Sequence, residues 1–444
     1  MCFICVLVNL ILVKKWKQSV KIKSFKNYPK SKMLSGGMIA VLILTGFLSL
    51  GGIVTFSGLL GLQASKPLPA PAVLTGCFFT ENIDTALAAN KTYKVMHSVF
   101  YASTNTARMG YRDDSRDFYY SPKVNGDWLN EDVTAGDHAI LSVDAAEVVS
   151  AIFMTQAATR FIKAAVRYSA TNWTITQVAT AANTSLTSLF DVTHNSNSTV
   201  LFFGLGGILK ASRYTDSWAA AVSVDTTVAF ADFDAVCATP AAGEASYVTY
   251  VDANSGSPVL KVALLPANDT VGASFKHSIE TGTFSTDWVQ SVYSADLDLL
   301  YILVRLDSES LRLYTFNGTD SVHHTIEGFT ELSLDPTTIA PGSIRMKMLA
   351  NGKLFFVYLI DDLAGVTTMR LAMQETVSTW NLNSFVFPDN LMDGFSFGNC
   401  TISPRPLEVT VFTNQSIGVT STVCNADLDE IVQFYTIKPA CLEA

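Results

Sequence analysis

The residue types best suited to chemistry in this sequence occur in short clusters, and a histidine pair is the most compact of them. His323 and His324 could ligate a metal ion or exchange protons near neutral pH. They lie in a stretch with strand character, and neighbouring residues of a strand point to opposite faces of the sheet. We therefore expect the two imidazole rings to be separated rather than to form one site.

Three arginines form a second cluster. Arg108, Arg112 and Arg116 fall within nine residues, and several guanidinium groups together can bind a carboxylate. Acidic residues in the same segment supply counter-charges: Asp113, Asp114 and Asp117. Because all three arginines belong to one segment, we expect a solvated polar loop rather than a carboxylate clamp.

Acidic clusters are the third feature, and they could bind calcium. Asp361 and Asp362 form one cluster, and Asp427, Asp429 and Glu430 form another. The first lies in a predicted hairpin turn, and neither has the ligand spacing of a known calcium loop. We assign no metal site to either.

A glycine-rich segment, Gly204 to Gly207, lies between two strand-like runs, so we interpret it as a hairpin turn and not as a phosphate-binding loop. The sequence contains neither GxSxG nor HExxH. We therefore predict no catalytic, cofactor-binding or metal-binding residue, no cofactor and no enzymatic activity. Carboxylates far apart in sequence could still meet in the fold and hydrolyse a glycan, which is the alternative.

The elements that would position these residues are β-strands. Runs of five to eight residues rich in Val, Ile, Phe, Tyr and Thr alternate with Gly, Asn, Asp, Ser and Pro clusters, and helical periodicity is missing. The sequence therefore predicts an all-β domain. The clearest runs begin at Val148, Ser198, Ser246, Leu299, Lys353 and Leu407.

A repeat organises these strands. Trp128, Trp173 and Trp218 are each 45 residues from the next, and a period of about that length is typical of a β-propeller. Seven units fit residues 77–444, which predicts seven four-stranded blades, with six or eight as alternatives. We expect the recurring tryptophans to pack between blades: Trp128, Trp173, Trp218, Trp288 and Trp380.

One segment resembles a known family. Ser121 to Trp128, SPKVNGDW, resembles the Asp box of sialidase-type propellers, S-x-D-x-G-x-x-W, with Lys123 in place of the Asp and Asn125 in place of the Gly. The resemblance covers the rhythm of the repeat and implies a shared architecture. Sialidases use an arginine triad, a Tyr–Glu pair and an acidic residue, which we cannot place in this chain. Architecture alone does not carry function.

The N-terminal segment predicts the compartment. Residues 34–65 contain no charge and are long enough to cross a bilayer, and residues 1–33 contain eight lysines and no acid. The positive-inside rule then predicts a cytoplasmic tail (1–33), a transmembrane signal-anchor (34–65), a Pro-rich stalk (66–76) and a translocated propeller. The alternative for 34–65 is a cleaved signal peptide, which would yield a secreted protein.

Sequons support translocation, because N-x-S/T motifs occur only after the apolar segment. We expect glycosylation in a eukaryotic host at Asn90, Asn172, Asn183, Asn197, Asn268, Asn317, Asn399 and Asn414.

Cysteines also indicate translocation, because cysteine pairs form disulfides mainly outside the cytoplasm. The candidates for disulfides are Cys77, Cys441, Cys400 and Cys424. Cys77 and Cys441 lie at the two ends of the propeller region, so a bond between them would fasten the ring. Cys237 makes the number of cysteines in this region odd.

The charge balance bears on partners. The chain has a net charge of -9 although residues 1–33 hold eight of its 30 basic residues, so the rest is strongly acidic and unsuited to nucleic acid. The sequence therefore predicts a membrane-anchored, glycosylated β-propeller at the cell surface or in the secretory pathway. Its loops would bind protein or glycan without catalysis. A glycan hydrolase and a structural subunit of an extracellular assembly are the alternatives.

Overall fold

The computed structural model describes the following residues: 78–82, 95–101, 106–112, 117–125, 127–143, 148–155, 160–169, 172–181, 186–195, 198–226, 233–239, 244–254, 256–266, 275–282, 284–306, 311–326, 344–361, 367–376, 379–387, 407–424 and 430–441. The predicted tail, signal-anchor and stalk (1–33, 34–65 and 66–76) lie outside this set. Within it, no helix has the length and apolar character needed to cross a bilayer.

Seven antiparallel sheets, here called blades 1 to 7, make up the described chain. Blade 1 contains β2 (Val95–Tyr101), β3 (Thr106–Arg112), β4 (Asp117–Val124), β5 (Asp127–Trp128) and β6 (Glu131–Ala135). Blade 2 contains β7 (Asp137–Val143), β8 (Val149–Met154), β9 (Arg160–Ser169) and β10 (Asn172–Ala181). Blade 3 contains β11 (Leu186–Asn195), β12 (Ser198–Leu205), β13 (Ile208–Tyr214) and β14 (Val222–Asp225).

The remaining blades repeat this order. Blade 4 contains β15 (Phe233–Ala238), β16 (Ala245–Asp252), β17 (Val259–Pro266) and β18 (Phe275–Thr281). Blade 5 contains β19 (Phe284–Ser294), β20 (Leu299–Leu306), β21 (Leu311–Phe316) and β22 (Ser321–Thr325). Blade 6 contains β23 (Ile344–Met348), β24 (Leu354–Asp361), β25 (Thr367–Gln374) and β26 (Trp380–Val386). Blade 7 contains β27 (Leu407–Val411), β28 (Ile417–Cys424), β29 (Glu430–Ile437) and, as its outer strand, β1 (Phe78–Asn82).

The first strands of the blades form the inner ring. Each contacts the first strand of the next blade, and the ring closes where β27 contacts β2. The ends of the domain meet in blade 7, because Phe78 of β1 pairs with Ile437 of β29. The predicted seven-bladed propeller is confirmed, with four strands in each of blades 2 to 7 and five in blade 1.

The hydrophobic core lies between the blades rather than at the axis. Seven buried clusters match the seven blade junctions, one cluster to each pair of neighbouring blades. Strands from both blades contribute Phe, Tyr, Val, Ile and Leu side chains, which explains why central strands such as β16 and β28 are buried at every position. This packing positions the polar residues of the inner ring described below.

The glycine-rich segment between two strands forms a hairpin turn, as the sequence predicts. Gly206 and Gly207 form the turn between β12 and β13, with φ angles of 60° and 71°. Two consecutive positive φ values are typical of a type I′ turn, which glycine adopts without steric cost. The segment is therefore a hairpin turn.

Tryptophans on the outer parts of the blades contact aromatic neighbours. Trp173 meets the edge of Tyr120 of blade 1 at 5.5 Å, and Trp128 meets Phe434 of blade 7 at 5.4 Å. Trp218 packs in the cluster between blades 2 and 3, and Trp380 lies 5.0 Å from Phe356 at the junction of blades 5 and 6. The Trp288 side chain lies outside the described part of the chain.

Trp173 is half-buried, and its buried indole N–H has no hydrogen-bond partner among the described residues. Trp173→Ala is therefore expected to lower the free energy of unfolding by about 2 to 3 kcal/mol, less than the cost for a fully buried indole. Trp173→Phe keeps an aromatic edge against Tyr120 and removes the unpaired N–H, so its cost should be much smaller. Chemical denaturation of both variants measures the difference, and equal losses would contradict a packing role.

Disulfides involve two of the described cysteines. Cys424, the last residue of β28, and Cys441, in a 3-10 turn at Pro439–Cys441, are both disulfide-bonded. Cys237 in β15 remains a thiol whose pKa is raised by burial and by the charge of Glu244. Cys77 and Cys400 lie outside the described residues, so the pairing stays a prediction.

Candidate functional site

The first strands of blades 3 to 7 carry a polar residue at equivalent positions. In each blade this residue lies four positions before the last residue of the first strand that pairs with the second strand across their hairpin. An apolar residue precedes each of them along the strand. We call these residues the belt: Asp191, Asp234, Gln290, Arg345 and Glu408. Equivalent positions in neighbouring blades lie at one level of the ring, so charged groups from several blades meet around the axis of the propeller.

Two adjacent blades, 3 and 4, contribute the two aspartates of the belt, Asp191 and Asp234. Asp191 Oδ2 accepts a hydrogen bond of 2.7 Å from the Ala235 N–H of the next blade. Asp234 Oδ2 accepts two bonds of 2.6 Å from the N–H and the hydroxyl of Ser291, again in the next blade. Each carboxylate is therefore held by the backbone of its neighbour, which fixes both side chains between blades.

Burial raises the pKa of both carboxyl groups. The pKa of Asp191 is raised to about 7, first by burial and then by the charge of Asp234. The pKa of Asp234 is also raised by burial, against the opposing effects of Ser291 and of the positive charge on Lys347. The Asp191 carboxyl therefore takes up its proton close to neutral pH, where an ordinary aspartate is ionised.

Blades 6 and 7 supply Arg345 and Glu408 to the belt, and blade 5 supplies Gln290. Arg345 Nε donates to Glu408 Oε1 at 2.9 Å across the junction of these blades. Lys347, two residues further along β23, is half-buried and has no ion pair within the described residues. Its charge lowers the pKa of both aspartates, so cationic and acidic groups influence each other across the ring.

The ionisation of Asp191 predicts an unusual pH dependence. A carboxyl group that titrates near 4 in the unfolded chain and near 7 in the folded chain binds its proton more tightly when folded. Its contribution to stability is fully present below the unfolded pKa and is lost as the pH rises through the folded pKa. The free energy of unfolding should therefore fall between about pH 4 and pH 7.

Asp191→Asn should remove this fall, because the amide does not titrate. Urea denaturation of both proteins at several pH values between those limits measures the difference, with Asp320→Asn in an exposed turn as control. Parallel curves for wild type and Asp191→Asn would contradict the assignment.

A pocket of about 410 Å³ opens where the inner strands of blades 5, 6 and 7 end. We call it the mouth pocket. The turns after β19, β23 and β27 form its walls. Its lining combines apolar and polar groups: Tyr293, Ser294, Ala295, Asp296, Met348, Leu349, Ala350, Gly352, Val411, Phe412, Thr413 and Gln415.

The walls of the mouth pocket are held by hydrogen bonds within and between turns. Gln415 has a φ of 66°, and its side-chain Oε1 accepts a bond of 2.7 Å from the N–H of Ala350 in the turn of blade 6. On the opposite wall the Tyr293 hydroxyl donates to Asp298 Oδ1 at 2.6 Å. Contacts between turns of two blades favour a preformed pocket rather than one that assembles around its ligand.

A serine–histidine contact occupies another part of the inner ring. His194 Nε2 lies 2.5 Å from the Ser142 hydroxyl, and His194 Nδ1 lies 3.0 Å from the Thr199 hydroxyl. Ser142 is buried between blades 2 and 3. A catalytic serine needs an accessible hydroxyl and a histidine base that is oriented by a third group, often a carboxylate. Here the Ser142 hydroxyl is buried and the group that contacts the other ring nitrogen is a threonine hydroxyl, so we interpret the contact as a structural hydrogen bond.

The histidine pair of the sequence is divided as expected. His323 is exposed on β22 and lies 3.5 Å from Glu280, whereas the pKa of His324 is lowered by burial and by His323. No group of three or more potential metal ligands occurs among the described residues.

The expectation of one arginine loop was wrong. Arg108 and Arg112 belong to strand β3, because their apolar neighbours are buried in the strand. The Arg108 guanidinium donates to the Tyr120 hydroxyl at 2.8 Å. Arg116 lies outside the described residues, so the three arginines are not seen together.

The remaining acidic candidates fall at strand ends. Asp361, which the sequence predicts to lie in a hairpin turn, is the last residue of β24, and Glu430 is the first residue of β29. Asp362, Asp427 and Asp429 lie outside the described residues.

Sequons can be examined at three positions. Asn172, Asn317 and Asn414 are all exposed. Asn317 and Asn414 occupy hairpin turns, and Asn172 begins β10. The other sequon asparagines lie outside the described part: Asn90, Asn183, Asn197, Asn268 and Asn399.

The segment that resembles an Asp box forms the β4–β5 hairpin. Asn125 takes a φ of 55° in the turn, where the family pattern has glycine. Lys123, in place of the turn-locking Asp, reaches away to Glu81 of blade 7.

The sequence interpretation missed the belt. Its signal was an apolar residue followed by a polar one in each first strand, as in Phe233-Asp234, Ile344-Arg345 and Leu407-Glu408. Each pair is short, and the spacing between pairs varies because the linkers between blades differ in length. Only the blade alignment makes the recurrence visible.

No family model matches this sequence, and no curated sequence is significantly similar to it. Solved structures are similar at the level of the fold. Polysaccharide lyase Uly1 is similar with a TM-score of 0.50 and 8% identity, over 77% of this chain and 89% of that chain. At this identity the likeness shows the β-propeller architecture alone.

Two further solved structures are similar with lower scores. A lectin of Aleuria aurantia in complex with Fucalpha1-6GlcNAc has a TM-score of 0.43 and 11% identity, over 68% of this chain and 97% of that chain. A sialidase of Trypanosoma rangeli has a TM-score of 0.40 and 12% identity, over 70% of this chain and 56% of that chain.

Proposed function

We propose that this chain is a recognition module that binds a saccharide in the mouth pocket. The observation that carries the proposal is the pocket itself, whose volume of about 410 Å³ lies in the range of small-molecule sites. A sugar presents apolar ring faces and a rim of hydroxyls. The pocket offers apolar surface at Met348 and Phe412 beside hydrogen-bonding groups at Thr413 and Gln415.

The proposed context is the surface of a cell or the lumen of the secretory pathway. Residues 34–65 would anchor the chain, and the stalk would hold the propeller away from the bilayer. The disulfide-bonded Cys424 and Cys441 and the exposed sequon asparagines support an oxidising, glycosylating compartment.

Blocking the pocket tests the proposal without removing any of its hydrogen bonds. Ala350 is exposed on the pocket wall, and Ala350→Trp would place an indole in the space that a ligand needs. Ala220→Trp adds the same group at an exposed alanine between β13 and β14, outside the pocket. After enzymatic removal of N-glycans, wild type and Ala220→Trp are expected to bind the same glycans on a glycan array and Ala350→Trp to bind none. Equal binding by both variants would place the ligand elsewhere, and an empty array for the wild type freed of N-glycans would contradict saccharide recognition.

One observation favours a second candidate, a glycan-cleaving enzyme. Asp191 and Asp234 lie on neighbouring inner strands, and the pKa of Asp191 is about 7, which suits a proton donor or acceptor near neutral pH. Incubation with a glycan panel, followed by detection of new chain ends, distinguishes the two functions. The recognition module produces none, whereas the enzyme produces ends that disappear in Asp191→Asn.

A further inference from the structure

A sequon lies on the wall of the mouth pocket. Asn414-Gln415-Ser416 occupies the turn between β27 and β28. Thr413 and Gln415 on either side of Asn414 both line the pocket, and Asn414 itself is exposed. The amide that would carry a glycan is therefore at the rim of the pocket.

Hydrogen bonds fix the direction of this amide. Asn414 Oδ1 accepts a bond of 3.0 Å from the N–H of Ser416. The turn is closed by the Gln415 N–H, which donates to the Phe412 carbonyl at 2.9 Å, and Gln415 ties it to Ala350 of blade 6. Since the oxygen is engaged with the turn, the Nδ2 atom is the part of the side chain that remains for attachment.

The neighbouring turn of blade 6 has the same geometry without the sequon. Asn351 Oδ1 accepts a bond of 3.0 Å from the N–H of Lys353, and Gly352 has a φ of 80° where Gln415 has 66°. Asn351-Gly352-Lys353 lacks the Ser or Thr that a sequon requires. Two turns thus present an asparagine in the same way, and only one can be glycosylated.

We infer that an N-linked glycan on Asn414 covers the mouth pocket and controls access to it. In the transfer step Nδ2 bonds to the anomeric carbon of a lipid-diphosphate-linked oligosaccharide and loses one proton. The bond between that carbon and the diphosphate oxygen breaks, and the lipid diphosphate leaves and takes up the proton. The attached chain is bulky and hydrophilic and lies over the opening. The effect of the glycan on saccharide binding rests on the proposed function. The shielding of the pocket walls does not depend on that function.

The experiment measures shielding without any ligand. The full chain is expressed in eukaryotic cells, occupancy of Asn414 is determined by glycopeptide mass spectrometry, and hydroxyl radicals oxidise the accessible side chains. Met348, which lines the pocket and is half-buried, reports access through conversion to its sulfoxide. Asn414→Gln removes the glycan, and Asn317→Gln removes one from an exposed turn that does not line the pocket. Lys353→Thr creates a sequon at Asn351 in the neighbouring turn of blade 6.

Oxidation of Met348 is expected to be slow in the wild type and in Asn317→Gln, fast in Asn414→Gln, and slow again in Asn414→Gln combined with Lys353→Thr. Equal oxidation in wild type and Asn414→Gln, or an Asn414 without glycan in the expressed protein, would overturn the inference. A glycan array probed with Asn414→Gln keeps the two proposals apart. No binding by this unshielded variant contradicts the proposed function and leaves the shielding result standing.

Discussion

Arg167→Met is expected to lower the free energy of unfolding by about 3 to 5 kcal/mol, because it leaves a buried carboxylate without its partner. Arg167 of blade 2 donates to both carboxylate oxygens of Glu131 in blade 1, at 3.0 and 2.7 Å. The Glu131 side chain is only 8% exposed. Its guanidinium partner also lies over the Tyr120 ring, 5.1 Å from the centroid. Both the ion pair and this stacking are lost in the variant.

The chain offers a matched control at another junction. Arg312 of blade 5 bonds Glu280 of blade 4 at 2.9 Å, but Glu280 is 32% exposed and can be hydrated once its partner is removed. Arg312→Met should therefore cost only about 1 kcal/mol. Urea denaturation of the two variants measures the contrast. A double variant, Arg167→Met with Glu131→Gln, should recover part of the loss, since no buried charge remains. Similar losses of unfolding free energy for Arg167→Met and Arg312→Met would show that burial of the acidic partner does not determine the cost of removing the arginine.

These two ion pairs belong to a recurring arrangement. A basic residue of the third strand of one blade meets an acidic residue of the outer strand of the preceding blade at four junctions. The pairs are Lys123–Glu81, Arg167–Glu131, Lys261–Asp225 and Arg312–Glu280. Blade 7 takes part through β1, so the strand that closes the ring also supplies an acid. These ion pairs therefore add polar contacts between blades beside the apolar clusters at the same junctions.

The sequence predicted the blades because each contains strands buried on both faces. Apolar runs such as β20 and β24 have no polar alternation, and turn residues separate them, so strand positions follow from composition. The tryptophan spacing of blades 1 to 3 then indicated the period. Blades 4 and 5 lack that pattern, and their linkers differ in length, so the number seven depended on counting apolar runs.

The candidate site could not be predicted in the same way. Asp191 and Asp234 are separated by 43 positions in sequence and meet only because neighbouring inner strands are aligned at the axis. The mouth pocket arises from three hairpin turns whose residues have little in common. A sequence reports the chemistry of each turn, whereas the space between turns depends on how seven blades close into a ring.

A disulfide at the point where the ring closes is expected to make a second large contribution to stability. Cys441→Ser is expected to lower the free energy of unfolding by about 2 to 5 kcal/mol, since it opens a disulfide that links distant parts of the chain. Cys424 and Cys441 cannot be bonded to each other. Cys424 pairs with Glu430 at one end of the β28–β29 hairpin, and Cys441 follows Ile437 at the other end. An eight-residue strand is about 25 Å long, several times the distance between α-carbons in a disulfide.

Cys441 must therefore bond elsewhere, and the register of blade 7 favours Cys77. Phe78, which follows Cys77 in the chain, pairs with Ile437 only four residues before Cys441. A Cys77–Cys441 bond would tie β1 to β29 and so prevent the outer strand from leaving blade 7. Non-reducing peptide mapping is expected to give a Cys77–Cys441 peptide, and Cys77→Ser should destabilise as much as Cys441→Ser. Cys237→Ser serves as control, because its thiol forms no disulfide. A thiol at Cys77 in the mapped protein, or unequal losses for the two variants, would show that the ring closes by strand pairing alone.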